Sequence, residues 1–293
     1  MSTGDSNQIT REYFDSILVE TRYIDSDLPS TKMELFGETF DTPVMTAALS
    51  HLHNICPNAM AEYALGAKKA NAVCFFGMGE DEDLEQMTAT GARVVKIIKP
   101  HEKDEEVIRK MKHAVANGAM AVGMDIDHSF TLHGDYDNVL GLQMKAKSLD
   151  QMKMFVKEAG VPFIVKGVLS TQDAEKCVEM GAAAILVSHH HGIMPYSVPP
   201  LMMLPEIVKA VDGQVKIIVD CGIESGMDVF KSLALGADCV CVGRDLMKPL
   251  EGGSDPVAAR INEINNELKG IMARVGARDL SQIDSSVLHF RNF

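Results

Sequence analysis

Short apolar runs alternate with amphipathic segments along most of this chain, and that alternation limits the folds open to it. The runs are rich in β-branched residues, as strands buried on both faces are, and the segments between them have a helical period. Strands that alternate with helices form a parallel sheet, and eight of them predict a closed (β/α)₈, or TIM, barrel of the α/β class. The predicted strands are Pro43–Leu49, Ala72–Phe76, Val94–Ile98, Ala121–Ile126, Pro162–Lys166, Ala183–Val187, Lys216–Asp220 and Cys239–Val242. The predicted helices include Asn58–Lys69, Asp104–Ala116, Leu149–Glu158, Gln172–Met180, Met203–Val211, Met227–Leu235 and Val257–Val275.

The rest of the chain fits one barrel. A length of 293 residues suits a single domain over residues 1–293. The open Rossmann-like sheet is the alternative, but no GxGxxG follows the first strand. Lys32–Thr42 reads as a short hairpin around Gly37 that would plug the amino end of the barrel. The long break Asp127–Lys147 is expected to cover a pocket, since loops of this length are usually functional.

Composition limits the partners. The formal net charge of −13 argues against nucleic acid and anionic membranes as partners, because both repel an acidic surface. Six scattered cysteines without a CxxC pair suggest a reduced, cytoplasmic protein. No stretch is apolar enough to span a membrane. The expected partner is therefore a small-molecule substrate.

Polar residues cluster where the predicted strands end. In a barrel of this kind, the active site is built from the carboxyl ends of the strands and the loops that follow. Each such residue alone could be structural, as a helix cap or a surface charge. Their convergence on one end of the barrel favours a functional site over separate structural roles. The residues are Asp125 and Asp127, Lys166, Ser188 with His189–His191, Asp220, and Gly243 with Arg244.

Glycines after the last two strands suggest an anion site. A phosphate there needs backbone N–H groups at close approach, which glycine permits, and a helix N-terminus behind it. Gly222 and Gly226 follow the seventh strand, and Gly243 follows the eighth. Arg244 would supply positive charge.

The histidines allow two interpretations. One member of His189–His191 could be a general base, because imidazole titrates near neutral pH. Alternatively, His128, His133 and this run could meet Asp125 or Asp127 in a metal site, with His51 and His53 near the same mouth. Adjacent histidines on a loop point in different directions, so no metal ligands are assigned.

Two long runs carry a family resemblance. KGVLSTQDAEKCVEMGAAAILVSHHHG, from Lys166 to Gly192, and VDCGIESGMDVFKSLALGADCVCVGR, from Val219 to Arg244, resemble the FMN-dependent 2-hydroxy-acid oxidase and dehydrogenase family, which includes glycolate and lactate oxidases. The similarity is specific in the second half of the chain and diffuse in the first. It implies an FMN-binding barrel that oxidises its substrate by hydride transfer to flavin N5.

The resemblance also implies roles for individual residues. Lys166 would stabilise negative charge at the flavin N1 and O2 edge, and His190 would be the base that takes the proton from the substrate hydroxyl. Ser188 would contact the flavin or its ribityl chain, and Asp220 the ribityl hydroxyls. The remaining cofactor contacts would come from Gly222, Gly243 and Arg244 at the phosphate, Ala47 and Ala48 along the ring, and Lys96 where the family commonly has a glutamine.

The chain departs from the family where the substrate should bind. Ile193 replaces an arginine that grips the substrate carboxylate, and the loop LHGDYDN lacks a second one. Asp125 stands for a threonine and Ile98 for a tyrosine. The N-terminal helix that bears another tyrosine is expected to be largely absent.

The phosphate end differs as well. Glu224 replaces an arginine, and Cys221 replaces a glycine.

These departures lead to a prediction about the substrate. A pocket with Ile193, Asp125, Asp127 and Asp135 would repel a 2-hydroxy carboxylate, since a buried carboxylate without a partner is costly. The prediction is dehydrogenation of a CH–OH, or alternatively CH–NH, group on a neutral or cationic molecule, with an unknown electron acceptor. The alternatives are a redox-neutral FMN isomerase or lyase, a non-catalytic flavin-binding barrel, and a metal-dependent barrel enzyme. A homo-oligomer is expected by analogy with the family.

Overall fold

A closed barrel of eight parallel strands organises the computed structural model, which describes residues 4–291. Each strand pairs with the next along the chain, and Val240 of the last strand pairs with Val44 of the first. The predicted TIM barrel is confirmed, with strand ends within two residues of those expected. In order, the barrel strands are Val44–Leu49, Cys74–Phe76, Val94–Ile98, Ala121–Asp125, Phe163–Val168, Ala184–Val187, Lys216–Val219 and Cys239–Val242.

Ten α-helices accompany the strands in the described part of the chain. They are α1 (Ser6–Ser16), α2 (Ala59–Lys69), α3 (Asp81–Ala89), α4 (Asp104–Ala116), α5 (Leu149–Ala159), α6 (Thr171–Glu179), α7 (Pro200–Val211), α8 (Gly226–Ala234), α9 (Met247–Leu250) and α10 (Ser254–Val275). The structure has every helix that the apolar periodicity predicts. None of them is long and apolar enough to cross a bilayer.

A hairpin fills the amino end of the barrel, as predicted. Its strands are Met33–Leu35 and Glu38–Phe40, and Gly37 takes a left-handed φ of 83° in the turn between them. Met33, Leu35 and Phe40 pack with the inward-facing side chains of the barrel strands. Burial of these side chains closes one end of the barrel and leaves the carboxyl ends of the strands open for a site.

The N-terminal helix is present, so the expectation that it is largely absent is wrong. Asp5 caps α1 by accepting hydrogen bonds from the Asn7 and Gln8 N–H groups. The buried face of α1 consists of Ser6, Thr10, Phe14 and Ser16, of which only Phe14 is apolar. Because only one of its four buried residues is apolar, α1 lacks the apolar stripe by which a sequence pattern identifies a core-facing helix.

The chain ends meet on the surface. Strand Ile17–Val19 pairs antiparallel with Leu288–Phe290, which follows the long helix α10. The sequence pattern did not predict this pairing, because the two strands have three residues each and are far apart in the chain.

The long segment after the fourth barrel strand has some local structure. A 3₁₀ helix, Ile126–Ser129, starts it, and two short strands, Asn138–Val139 and Leu142–Gln143, form a small hairpin. The Phe130 ring stacks on the Tyr136 ring with centroids 5.5 Å apart. The segment therefore has a defined path that begins directly beside the carboxyl end of the fourth barrel strand.

Candidate active site

A cavity of about 310 Å³ opens at the carboxyl ends of the first, seventh and eighth barrel strands. It collects most of the residues that the sequence assigns to the cofactor. Its lining comprises Ala47, Ala48, Leu49, Ser50, Lys166, His190, His191, Asp220, Cys221, Gly222, Ile223, Glu224, Cys241, Gly243, Arg244 and Asp245.

One wall of the cavity consists of backbone. The Tyr63 hydroxyl donates a hydrogen bond of 3.0 Å to the Ala47 carbonyl oxygen and fixes the end of the first strand. Gly243 lies beside Ala47, because the last strand pairs with the first, and a Cβ added at Gly243 would lie 3.4 Å from the Ala47 Cβ. Small residues at both strand ends therefore leave backbone accessible on this wall, against which a flat ring could lie.

Arg244 is the cation at the rim of the cavity. It is exposed, and within residues 4–291 its guanidinium has no ion pair or side-chain hydrogen bond. Asp245 lines the same cavity, but Arg260 neutralises it at 2.7 Å and also donates to the Glu224 carbonyl oxygen. Arg244 is therefore available to an anion, while Glu224 adds negative charge to the same wall.

Gly226 does not belong to this site. Its N–H donates to Glu267 Oε2 at 2.7 Å, and a Cβ there would collide with the Leu268 backbone nitrogen at 2.3 Å. The expectation that Gly226 holds a phosphate is wrong, because the residue is needed where α8 packs against α10.

Cys221 links the ends of the sixth and seventh strands, because its Sγ accepts from the His191 N–H at 3.4 Å and lies 3.5 Å from Ser188 Oγ. The His190 N–H donates to Ser188 Oγ at 2.9 Å, and the Cys221 thiol donates to Asp220 Oδ1 at 3.0 Å. Burial and the Asp220 carboxylate raise the pKa of Cys221, so the thiol stays protonated and can act as this donor. Cys221 holds a φ of 72°, the left-handed region that favours the glycine of the family pattern.

A buried ion-pair network lies deeper in the mouth. Asp125 accepts from Lys166 Nζ at 3.1 Å and from Lys99 Nζ at 2.6 Å. Burial alone would raise the pKa of Asp125, but the two lysines hold it well below its usual range. Burial would likewise lower the pKa of Lys166, and Asp125 and Asp127 raise it instead. Both partners are therefore charged.

Sequence reasoning missed Lys99. It follows the third strand directly, at the same barrel end as the assigned residues, and this position was the signal that could have identified it. With Lys99 present, Asp125 is neutralised rather than free to repel a substrate.

His190 is held between the network and the long loop. Its Nδ1 lies 2.9 Å from Asp127 Oδ1, 3.3 Å from Asp125 Oδ1 and 3.1 Å from Lys166 Nζ. Burial and Lys166 lower the pKa of His190, but the two carboxylates outweigh them and raise it. The predicted base therefore has a carboxylate that orients its ring.

His128, from the 3₁₀ helix that follows the fourth strand, completes the cluster. Its Nε2 is 3.1 Å from His190 Nε2, and its Nδ1 is 3.0 Å from Asp137 Oδ2. Burial, followed by Lys99 and His190, lowers the pKa of His128. Asp137, rather than the predicted Asp135, is the loop carboxylate that reaches the site, since Asp135 is exposed.

Two residues of the third strand lie elsewhere. The Lys96 ammonium donates to the Gly77 carbonyl oxygen at 2.6 Å and lies 3.5 Å from the centroid of the Phe76 ring. Neither Lys96 nor Ile98 lines the cavity, and Ile98 packs in the core between strands and helices. The structure thus places Lys96 away from the predicted flavin contact.

The other predicted residues also have defined places. His189 is buried against Thr10 of α1, with 2.7 Å between Nε2 and Oγ1. His191 contacts Asn7 of the same helix. Ile193 is half-buried behind these contacts and does not line the cavity. The sequence therefore located the histidine run correctly, but only His190 of the three joins the ion-pair network.

The charges around the histidine cluster test whether it could bind a metal ion. Ligand atoms of Asp125, Asp127, His128 and His190 lie within 4.8 Å of one another. Both Asp125 oxygens are engaged by ammonium groups, at 2.6 and 3.1 Å, and Lys166 Nζ is 3.1 Å from His190 Nδ1. Two buried ammonium groups at this distance would oppose a divalent cation. We therefore assign no metal ligands.

The residues fit a flavin mononucleotide. The small side chains of Ala47, Ala48 and Gly243 on one cavity wall suit a flat ring, and Asp220 offers a carboxylate to hydroxyl groups. Arg244 stands free for a phosphate at the rim. Lys166 brings a buried positive charge to the other end of the same cavity.

Comparisons with known proteins agree with this fit. The sequence model described as FMN-dependent dehydrogenase matches residues 2–151 and 135–290. An L-lactate oxidase of Lactobacillus jensenii is 31% identical over 91% of this chain and 73% of its own length. A 2-hydroxyacid oxidase of Dictyostelium discoideum is 26% identical over 99% of this chain and 85% of its own.

Solved structures give the same fold. A mandelate oxidase variant with a C4a-hydroxy-FMN adduct superposes with a TM-score of 0.90 over 100% of this chain and 93% of that one, at 24% identity. From the family match and the lactate oxidase relative, the chain belongs to the FMN-dependent dehydrogenase family and is an FMN-dependent oxidoreductase.

Proposed function

We propose that this enzyme dehydrogenates a CH–OH group, or alternatively a CH–NH group, with His190 as the base. The observation that carries the proposal is the convergence of His190, Asp127 and Lys166 at the inner end of the cavity. Relatives whose names state lactate and 2-hydroxyacid oxidation support CH–OH chemistry.

Each residue has a distinct task in this proposal. When bound, FMN supplies the hydride acceptor. His190 removes the substrate proton, and Asp127 orients its ring through Nδ1. Lys166 is kept charged by its carboxylate neighbours and would provide a fixed positive charge beside the flavin ring. Asp125 holds Lys166 and Lys99 in place and offsets one of their two positive charges.

The charge arrangement bears on the substrate. A 2-hydroxy carboxylate needs a free cation near the base, and both lysines of the cluster are paired with Asp125. Asp127 and Asp137 add negative charge around the two histidines. We therefore propose a substrate whose reacting carbon bears no free carboxylate, either neutral or cationic.

Anaerobic flavin reduction tests both parts of the proposal. The purified flavoprotein is mixed with a neutral diol, an amino alcohol, lactate, glycolate and mandelate, and loss of the oxidised flavin absorbance is followed. We expect the neutral or cationic alcohols to reduce the flavin faster than the acids. Efficient reduction by the acids would contradict the substrate class, and no reduction by any alcohol or amine would contradict the oxidation itself.

A variant pair tests the base. His190→Gln should slow flavin reduction by roughly 10²–10⁴-fold, the usual contribution of a general base. His133→Gln, a change of an exposed histidine on the long loop, should leave the rate unchanged. Equal rates in His190→Gln and the parent enzyme would rule out His190 as the base.

A further inference from the structure

The second histidine of the cluster, His128, has no part in the function proposed so far. Its ring meets that of His190 edge to face, with centroids 4.3 Å apart and planes at 78°. The contact joins two Nε2 atoms at 3.1 Å, a hydrogen-bond distance. Sequence reasoning did not pair these residues, which lie 62 positions apart.

The carboxylates decide where the ring protons lie. Asp137 Oδ2 is 3.0 Å from His128 Nδ1, and an ionised carboxylate can only accept a hydrogen bond. His128 therefore carries a proton on Nδ1. On His190, Nδ1 faces Asp127 at 2.9 Å and Asp125 at 3.3 Å. Lys166 at 3.1 Å is a single donor against these two acceptors, so Nδ1 of His190 is protonated as well.

This leaves a conflict at the contact between the rings. A neutral imidazole that is protonated on Nδ1 has a lone pair on Nε2. Two such lone pairs would then face each other at 3.1 Å, an arrangement without a hydrogen bond in a half-buried site. One additional proton between the two nitrogen atoms removes the conflict.

We propose that His128 and His190 share one proton between their Nε2 atoms and act as one acid–base unit, in which His128 is a positioning residue for the base. This inference rests on the proposed function of His190. The ring that holds the proton is His190, because Asp125 and Asp127 surround it. His128 remains neutral beside Lys99 and is the acceptor.

The charged groups around the pair favour a protonated His190 beside a neutral His128. Burial and Lys166 oppose a charge on His190, and the two carboxylates overcome them, so its pKa is raised. Around His128, burial and Lys99 outweigh Asp137 and Asp125, so its pKa is lowered. A pair with one raised and one lowered pKa holds a single extra proton over a wide pH range.

The unit has a consequence for the reaction. The pair must first release the shared proton to solvent, which frees the lone pair of His190 Nε2 to accept the proton of the substrate hydroxyl, and the captured proton then takes the same place between the rings. Flavin reduction should therefore rise with pH through the pKa of the pair. Without His128, the proton on His190 loses its acceptor, and the pKa of His190 should fall.

The test measures the pKa of His190 in the flavin-loaded protein by NMR of ¹⁵N-labelled histidine. His128→Phe should lower this pKa by on the order of one pH unit, the usual size of a change in a single neighbouring interaction. The control His133→Phe removes an exposed histidine from the same loop and should leave the pKa unchanged. An unchanged pKa in His128→Phe would overturn the proposal.

A second measurement needs no variant. A proton shared by two imidazoles gives a scalar coupling between their Nε2 nuclei across the hydrogen bond, and the parent protein should show it below the pKa of the pair. Its absence would overturn the proposal even if His128→Phe does not fold. A stoichiometric metal that is lost in His128→Phe would also overturn it, because an ion and a proton cannot both occupy the gap.

The kinetic readout separates this inference from the proposed function. If substrates reduce the flavin, the acidic limb of the rate profile should move to lower pH in His128→Phe by the shift that NMR reports. If none does, the proposed function fails, while the pKa and the coupling still decide whether the proton is shared.

Discussion

The face of a barrel strand on which a side chain lies decides which groups that side chain contacts. Lys96 and Lys99 are both buried lysines, Lys96 at the centre of the third barrel strand and Lys99 directly after its end. Lys99 reaches Asp125 in the mouth, whereas Lys96 lies over the Phe76 ring on the side that faces the helices. Only Lys99 has a carboxylate partner, so Lys96 bears the cost of burial largely uncompensated.

Burial lowers the pKa of Lys96 to about 7. The unfolded chain, with a lysine pKa of about 10.4, therefore binds a proton on this side chain between about pH 7 and pH 10, where the folded protein has largely lost it. Lys96 consequently destabilises the fold most at and below pH 7, and this penalty disappears as the pH rises toward 10.

We expect Lys96→Met to increase the free energy of unfolding by about 2 kcal/mol at pH 7 and by less at pH 9.5. Denaturant unfolding at the two pH values measures this difference. Lys269→Met, a change of an exposed lysine on α10, is the control and should have little effect at either pH. A destabilised Lys96→Met protein that also loses flavin would show that Lys96 contacts the cofactor after all.

At the scale of elements, α1 fixes the segment that carries His190. The Gly192 N–H donates to His189 Nδ1 at 2.9 Å, so the proton of the neutral ring is on Nε2 and is donated to Thr10 Oγ1 at 2.7 Å. Burial lowers the pKa of His189, which agrees with a neutral ring. The helix thus holds the left-handed turn at His190 and His191 through a neighbouring residue.

Thr10→Val removes the acceptor and leaves a buried N–H of His189 without a partner. We expect the free energy of unfolding to fall by about 1–2 kcal/mol. The control is Thr21→Val, at an exposed position beyond the helix, which should change it by less than about 0.5 kcal/mol. Equal effects of the two changes in denaturant unfolding would show that α1 does not hold the turn.

At the scale of the whole molecule, the barrel has one closed end and one open end. The hairpin of Met33–Leu35 and Glu38–Phe40 fills the closed end with apolar side chains, and the polar network occupies the open one. Stability and chemistry are thereby separated along the barrel axis.

Replacement of Phe40 tests how much the closed end of the barrel contributes to the free energy of unfolding. Its side chain is 2% exposed and packs with the inward-facing residues of the barrel. Phe40→Ala should lower the free energy of unfolding by about 3–5 kcal/mol, whereas Phe290→Ala, where the ring is 50% exposed, should lower it by no more than about 1 kcal/mol. A small loss in Phe40→Ala, measured by denaturant or thermal unfolding, would mean that the hairpin is dispensable.

The sequence alone determined the barrel, its hairpin and most of the cavity. Apolar runs and helical periods are local patterns, so the eight strands could be located within two residues. The rule that sites lie at the carboxyl ends of barrel strands then selected Lys166, His190, Asp220 and Arg244, all of which line one cavity.

Only the tertiary structure decided which of these groups touch. A shift of one residue moves a strand side chain to the other face, so Lys96 and Lys99 could not be told apart from the pattern. The helix α1 buries too few apolar residues to be recognised. The contact of His128 with His190 joins loops 62 residues apart, and Asp137 reaches it by the path of an irregular segment. Such contacts depend on how the loops fold over the barrel, and no local period in the sequence encodes that.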